Sequence, residues 1–139
     1  MSLVLDSSAT LAWIYSEETT EAIRQVFALV AESGATVPAL WRLEVANSLT
    51  VAVRRCRIDA EFRSAALADL ALLDITTDPH TDDLAWGETL MLADRFGLTM
   101  YDAADLELAQ RRGLPLATLD AALCLAAAAL AVRVLGGTA

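Results

Sequence analysis

Short apolar runs that alternate with helical segments constrain the fold of this chain more than any other feature. The runs predicted as strands cover residues 2–6, 35–37, 75–77, 116–119 and 132–135. The predicted helices cover residues 7–15, 18–32, 38–55, 59–73, 81–96 and 102–112, and an Ala-rich helix follows. Strands this short and apolar, separated by helices, indicate a parallel sheet buried on both faces. The sequence therefore predicts an α/β fold, a three-layer sandwich with helices on both faces of a short parallel sheet.

Carboxylates stand where several of these segments end or begin. Asp6 and Asp120 follow predicted strands, Asp102 starts a predicted helix, and Glu44 lies inside another. Ligands of such sheets collect outside the carboxyl ends of the strands. Carboxylates gathered there would repel one another by about 4 kcal/mol per pair at ~4 Å and an effective dielectric near ~20. We therefore expect one acidic pocket that needs a cation, and oxygen ligands favour Mg²⁺ or Mn²⁺.

Each carboxylate also has a purely structural interpretation. Asp is a favoured N-cap residue, so capping alone would explain Asp6, Asp102 or Asp120 taken singly. Glu44 differs, because its helix face mixes apolar and amide side chains in a way that a solvated face rarely does. Asp105 lies one turn after Asp102, and an acid facing water in an early helical turn is the simpler interpretation.

Charge and composition limit the function further. At 139 residues the chain is predicted to form a single domain, residues 1–139, with one site. A net charge of −9 argues against a broad basic face for nucleic acid. All ten basic residues are Arg, and Arg54, Arg55 and Arg57 form the densest group. A mean hydropathy of +0.47 suggests that a partner covers some apolar surface.

Several classes of protein and site are not indicated. No secretory signal precedes Asp6, and the apolar tract 121–132 is too short to cross a bilayer, so we expect a buried helix and cytoplasmic residence. Cys56 and Cys124 suggest neither zinc nor a disulfide and are expected to be buried. The single His80 is expected at the surface and is remote in sequence from the serines, so no serine nucleophile is indicated. The sequence also lacks the Walker loop of nucleotide-binding proteins and the Lys on which receiver domains and haloacid-dehalogenase-type phosphatases rely. It lacks the Gly-rich first turn of dinucleotide-binding folds as well.

Four stretches, taken in order, carry a resemblance to a known family. They are residues 3–8, 37–47, 98–104 and 114–120, and together they span nearly the whole chain. The sequence resembles the VapC-type toxins of the PIN-domain ribonucleases. Any one stretch alone would be weak, but their shared order makes the match specific.

The resemblance implies a Rossmann-like sandwich with an acidic pocket for Mg²⁺ or Mn²⁺ and endonucleolytic cleavage of RNA. Carried over by position, the catalytic and metal-binding acids are Asp6, Glu44, Asp102 and Asp120. Thr118 and Asn47 match positions that usually support that pocket by hydrogen bonding. Asp105 departs from the pattern, since an uncharged residue is commoner there, and it could add a ligand or face water.

Partners are also implied by the resemblance. Such toxins are usually held inactive by a small cognate antitoxin, which sends a basic side chain into the acidic pocket, and they usually form homodimers. Two alternatives stay open at this point. One is a catalytically inactive PIN-like binding module, and the other is an enzyme of another class, such as a metal-dependent phosphatase or a 5′-type DNA nuclease. The RNA that is cut and the number of metals are not determined by the sequence.

Overall fold

A five-stranded sheet forms the centre of the molecule in the computed structural model, which describes residues 2–137. The strands are β1 (Leu3–Leu5), β2 (Ala35–Val37), β3 (Ile75–Thr77), β4 (Leu116–Ala117) and β5 (Val134–Leu135). Their spatial order is β3-β2-β1-β4-β5, and every neighbouring pair is parallel. Parallel strands need crossover connections, and helices supply them.

Helices occupy most of the chain between the strands. They are α1 (Ser7–Ile14), α2 (Glu21–Ser33), α3 (Trp41–Arg54), α4 (Ala60–Ala71), α5 (Thr81–Leu84), α6 (Glu88–Phe96), α7 (Met100–Arg112) and α8 (Ala121–Ala129). A 3₁₀ turn at Ser16–Glu18 follows α1. The predicted α/β sandwich is confirmed.

Apolar side chains fill both faces of the sheet. In β1, Leu3 and Leu5 belong to one cluster, together with residues of α1 to α4. Val4 points to the other face and joins a cluster built from α6, α7 and α8. All three side chains are buried, as the two-residue alternation of a strand covered on both faces requires.

The strand order creates a crevice at one edge of the sheet. The chain moves from β1 to β2 and β3 on one side, and returns to β4 and β5 on the other. The order therefore reverses between β1 and β4, and in open parallel sheets ligands bind at such a switch point, outside the carboxyl ends of the strands. Asp6 follows β1, and the segment from Thr118 to Asp120 follows β4, so both lie at this crevice.

Helix starts differ from the sequence prediction for identifiable reasons. Pro38 does not open α3, because its carbonyl accepts from the Trp41 amide and closes a turn before the helix. The second predicted helix begins at Glu21, where the Thr20 side chain caps the Ile23 amide. Asp102 does not start α7 either. The Thr99 side chain caps that helix by accepting from the Asp102 amide, which places Asp102 in the first turn.

Three further expectations are wrong. The helix predicted over residues 81–96 is two helices, α5 and α6, which part at Gly87 with φ −113° and ψ −108°. Cys56 is exposed and not buried, because it sits in the loop after α3 with a left-handed φ of 59°. The Ala-rich helix α8 is not a fully buried helix, since Leu125 is 76% exposed.

A buried ionic network ties α7 to the end of β3. Arg111 donates to Asp78, just beyond β3, with an Nη2 to Oδ2 distance of 2.6 Å, and to Glu107 one turn earlier at 2.8 Å. Both carboxylates are almost fully buried. Contact with the Arg111 guanidinium lowers the pKa of Asp78 despite that burial. Among residues 2–137, no helix is both long and apolar enough to span a membrane.

Candidate metal centre

Asp6 is the buried centre of the crevice. It is only 3% exposed, and as the N-cap residue of α1 it leaves the backbone amides of that helix uncapped by its side chain. Two hydroxyls instead hold one carboxylate oxygen. Ser8 Oγ and Thr118 Oγ1 each donate to Asp6 Oδ2 at 2.7 Å. Because the carboxylate is not used for capping, capping does not explain this residue.

Thr118 links β4 to the same carboxylate. Its hydroxyl also accepts from the Asp120 amide at 3.1 Å and lies 3.3 Å from Ser8 Oγ. Thr118 is fully buried. The hydrogen bonds join the ends of β1 and β4 across the switch point, so Asp6 is oriented by a rigid part of the molecule.

Two acids of α7 approach Asp6 from above the sheet edge. One oxygen each from Asp6, Asp102 and Asp105 lies within 4.8 Å of the others. Asp105 is 2% exposed. The spacing of three residues in α7 places Asp102 and Asp105 on the same helical face, and that face is turned to the crevice.

Glu44 completes the cluster from α3. Loss of hydration raises the pKa of Glu44 to about 7, with added repulsion from Asp6 and Asp102. Burial likewise raises the pKa of Asp102 to about 6, helped by the charges of Asp6 and Asp120. These mutual effects place all four predicted acids in one electrostatic unit.

Asp105 is a third acid of the group whose pKa is raised. Its complete burial raises its pKa well above the usual range, and the neighbouring charges of Asp6, Glu44 and Asp102 act in the same direction. The simpler sequence interpretation, an acid facing water, is therefore wrong. The i, i+3 relation to Asp102 was the available signal, but only the docking of α7 shows which way that face points.

Asp120 and Asn47 differ from the simplest expectation. Asp120 does cap α8, since its Oδ1 accepts from the Leu123 amide at 2.9 Å. Its charge still acts on Asp102, so capping and membership of the cluster are compatible. Asn47 makes no side-chain hydrogen bond within residues 2–137, so it does not support the acids as Thr118 does.

The cluster suits a hard divalent cation. Two oxygens on opposite sides of one ion are separated by about twice a metal–oxygen distance of ~2.0–2.6 Å. The 4.8 Å limit on the spacing of the Asp6, Asp102 and Asp105 oxygens lies within that range, so the three carboxylates could share one ion. The donor set is made of oxygens alone, which favours magnesium or manganese over softer metals. An ion would also relieve the repulsion that raises the pKa values of Glu44 and Asp102.

Three solved structures have a fold similar to that of this chain. A structure of PAE2754 from Pyrobaculum aerophilum is 25% identical, with a TM-score of 0.67 over 91% of this chain and 79% of that one. VapC20 from Mycobacterium tuberculosis is 18% identical, with a TM-score of 0.59 over 89% and 94% of the two chains. FitAcB from Neisseria gonorrhoeae is 16% identical, with a TM-score of 0.65 over 98% and 97%. The last two show likeness of fold alone.

No curated protein matches the sequence at a significant level. The family model described as "PIN domain", however, matches residues 3–129, from the first strand through the last helix. That range contains all four predicted acids and Asp105 as well. With the parallel sheet, the acidic crevice and this match taken together, the chain belongs to the PIN-domain family.

Proposed function

We propose that the chain is a divalent-metal-dependent endoribonuclease that acts as the toxin of a type II toxin–antitoxin pair. Residues 1–139 would act as one PIN domain with one site, in the cytoplasm and as a homodimer. The observation that carries this proposal is the buried Asp6 carboxylate, held by Ser8 and Thr118 against two further carboxylates. A fold that gathers such acids without a basic partner among them needs a cation to stabilise it.

Each acid has a role that its position supports. Asp6, Asp102 and Asp105 are spaced to hold the ion, which would be Mg²⁺ or Mn²⁺. Glu44 from α3 and Asp120 from the start of α8 would contribute further carboxylate oxygens to the same site. When bound, the cation would lower the pKa of a water molecule and stabilise charge on the phosphate oxygens. The hydroxyls of Ser8 and Thr118 orient Asp6 for this task.

RNA is the substrate that family membership and the first structural neighbours favour. The VapC20 structure is described as that of a toxin that cleaves the sarcin–ricin loop. At 18% identity this likeness extends to the fold, and the RNA cut by the present chain must be found by experiment. Sequencing the new ends in RNA from cells that express the chain would identify both the RNA and the cleavage site.

The test of the nuclease assignment is a comparison of two matched substitutions. Asp6→Asn keeps the shape of the side chain and removes its charge, so it should abolish RNA cleavage while the protein stays folded. Asp94→Asn makes the same change on the exposed face of α6 and should leave cleavage intact. Full activity of Asp6→Asn, or of the native chain in excess EDTA, would contradict the assignment.

Cleavage of DNA or phosphomonoesters in place of RNA would favour the other enzyme classes, and metal binding without any cleavage would favour an inactive binding module.

Asp105 requires a measurement of metal binding, because a loss of activity alone would not identify a ligand. If Asp105 binds the ion, Asp105→Asn should weaken Mn²⁺ binding, measured by calorimetry, about as much as Asp102→Asn does. Since the Asn side chain preserves shape, circular dichroism should be unchanged. Native affinity in Asp105→Asn would leave the remaining four acids as the ligand set.

Inhibition by a small partner follows from the charge of the crevice and the apolar surface. A guanidinium or ammonium inserted among the carboxylates could pair with two of them and occupy the volume of the ion. Exposed apolar residues offer area for an apolar helix of the same partner, and they include Leu43, Trp86, Met91 and Leu125. The proposed regulator is a small antitoxin encoded beside this chain.

The basic rim predicted at the end of α3 is smaller than its three Arg residues suggest. Arg57 pairs with Glu17 and Glu18 and lies 3.9 Å from the centre of the Tyr15 ring, so its charge is already engaged. Arg54 and Arg55 stay exposed and could orient an acidic stretch of the regulator. Replacing the pocket-reaching basic residue of the regulator by Ala should restore RNA cleavage in the complex. An inhibitory partner whose contacts avoid the crevice, with metal still exchanging, would contradict this mechanism.

A further inference from the structure

A cavity of about 410 Å³ opens beside the metal centre, between the start of α1, the first half of α3 and the start of α7. Its volume falls in the range of about 300–1,000 Å³ that is typical of small-molecule sites. Glu44 belongs to both the cavity and the acidic cluster. Tyr101, on the opposite wall, directly precedes Asp102 in α7. A group in this cavity is therefore a close neighbour of any phosphate bound at the metal centre.

The cavity wall is largely apolar and open to solvent. Leu40 is 44% exposed, Leu43 is 68% exposed and Tyr101 is 53% exposed. Large apolar side chains that stay exposed beside a charged cluster cost hydration free energy in the free protein. A flat apolar ligand that covers them would recover it, and the ring of Tyr101 offers a face for stacking.

Three polar residues complete the lining, and two of them have unused hydrogen-bonding groups. Within residues 2–137, the side chains of Asn47 and Ser48 make no hydrogen bond to the protein. The Asn47 amide carries both a donor and an acceptor, and the Ser48 hydroxyl can act as either. Ser7, at the start of α1, lines the same cavity. Such a set can read the edge of a heterocyclic ring.

Charge decides which part of a nucleic acid belongs here. No Arg lines the cavity, and the adjacent cluster is acidic, so a phosphate would be repelled wherever the metal does not hold it. The chain as a whole has a net charge of −9, so backbone phosphates supply little affinity. Proteins that bind single strands gain about 1–3 kcal/mol from each base stacked on an aromatic ring. For an acidic nuclease this source of affinity matters more than for a basic one.

We propose that this cavity receives the nucleobase next to the scissile phosphate, stacked on Tyr101 and read at its edge by Asn47 and Ser48. The inference rests on the proposed nuclease function and adds the residues that select the nucleotide at the cut. Leu40 and Leu43 form the apolar wall against the base. Tyr101 thus acts as a specificity residue that touches the substrate and does not bind the metal.

The first experiment measures steady-state cleavage of a short single-stranded RNA that contains a mapped cleavage site. Tyr101→Ala should raise KM about tenfold or more with little change in kcat, in line with the loss of one stacked base. Tyr101→Phe keeps the ring and should stay near the native KM. The control is Leu72→Ala, which removes another exposed apolar side chain, at the amino end of β3, and should change neither constant.

A second measurement tests contact between Tyr101 and a particular base. An abasic nucleotide is placed in turn at each position beside the cleavage site, in the same RNA. If the proposal is right, one abasic position weakens native binding as much as Tyr101→Ala does, and the two changes together cost no more than either alone. Additive effects at every position would overturn it. If Tyr101→Ala does not fold, Tyr101→Leu, which removes the ring but keeps an apolar side chain, takes its place in the same series.

Failure of the cavity proposal and failure of the nuclease proposal give different results. If the native chain cleaves RNA and Tyr101→Ala cleaves it with the same kcat and KM, the nuclease assignment stands and the base site is wrong. If Tyr101→Ala only releases a protein partner, the cavity is a docking surface for that partner, and the base site is again wrong. If no RNA is cleaved, the nuclease proposal fails, and the cavity is tested by the anisotropy of labelled RNAs that carry an abasic nucleotide at each position in turn. Binding that weakens equally with Tyr101→Ala and with one abasic position would support it.

Discussion

Two hydroxyl groups set the orientation of the residue on which the site depends. Ser8 and Thr118 both donate to the same oxygen of Asp6, and an oxygen of this carboxylate lies within 4.8 Å of oxygens of Asp102 and Asp105. Partners of this kind fix a metal-binding carboxylate in one rotamer and typically change affinity by about 10–100-fold when removed. The quality of the metal site should therefore depend on residues that never touch the ion.

Thr118→Val tests this dependence without changing side-chain volume much. The substitution removes the donor to Asp6, so Mn²⁺ affinity should fall about tenfold or more, as measured by calorimetry. Thr36→Val is the matched control, because Thr36 is buried in β2 and its side chain makes no hydrogen bond within residues 2–137. Its affinity for Mn²⁺ should be native. Equal losses in both variants would mean that packing, and not the hydrogen bond, supports the site.

The pH dependence of stability follows from the raised pKa values in the crevice. Glu44 shifts from 4.5 to about 7 and Asp102 from 3.8 to about 6 on folding. Between the unfolded and the folded pKa of each group, the folded protein binds more protons than the unfolded chain. The free energy of unfolding should therefore fall as pH rises from about 4 to about 7. Asp78 acts in the opposite direction, but only at lower pH, because its pKa is lowered.

Urea denaturation in EDTA at a series of pH values measures this slope. Glu44→Gln should flatten it, and Glu32→Gln, on the exposed face of α2, should not. A metal-free protein whose stability increases steadily over the same interval would show that the acids are not repelling one another.

Single helices and turns position the acids through their ends. Asp6 stands before α1, Asp120 caps α8, and the Thr99 cap sets the start of α7. A close approach between the turn after α2 and the residue before β3 constrains the fold in another place. Gly34 ends α2 with φ 76° and ψ −179°, and a Cβ at this position would lie 2.8 Å from the Asp74 carbonyl oxygen.

Gly34→Ala and Gly97→Ala compare a glycine whose backbone region and close contact both exclude a side chain with one that has only a left-handed φ. Both glycines have a positive φ, but a Cβ at Gly97 would meet nothing within 4 Å. Gly97→Ala should therefore lower the unfolding free energy by about 1 kcal/mol, and Gly34→Ala by about 3 kcal/mol, because its backbone region is almost confined to glycine. Urea denaturation provides both values. Equal losses would show that the chain can move away from Asp74 at little cost.

At the scale of the whole molecule, the acidic crevice is the part that lowers the stability of the fold. The sheet and its two apolar clusters stabilise the fold, whereas the carboxylates that α3, α7 and the segments after β1 and β4 bring together oppose it. A ligand that binds only the folded state increases stability in proportion to the logarithm of its concentration. Metal binding and folding should therefore be linked.

Thermal melting tests this linkage at the level of the whole protein. At a hundredfold excess over the dissociation constant, Mn²⁺ or Mg²⁺ should stabilise the native chain by about 2.7 kcal/mol, and the melting temperature should rise with concentration. Asp94→Asn, remote from the crevice, should respond as the native chain does. Asp102→Asn should show little or no rise. The same rise in Asp102→Asn would place the metal elsewhere.

Much of the site was predictable because the signals are local. A strand buried on both faces reads as a short apolar run, and a residue after it must lie at the carboxyl edge of a parallel sheet. The pattern of segments therefore placed Asp6 and Asp120 at one edge and suggested Glu44 and Asp102 for the same pocket, and the resemblance to the PIN family implied that all four bind metal. The structure brings these four together. Their roles in catalysis and metal binding remain predictions for the experiments above.

The sequence alone determined the α/β class, the strand segments and the acidic character of the crevice, since each depends on periodicity or on charge. Only the tertiary structure decided that Asp105 faces the crevice and not water, because the docking of α7 against β1 and β4 selects one of its faces. The same holds for Arg111, which pairs with Asp78 from 33 residues away. Helical spacing shows which residues share a face, but packing with distant segments determines what that face meets.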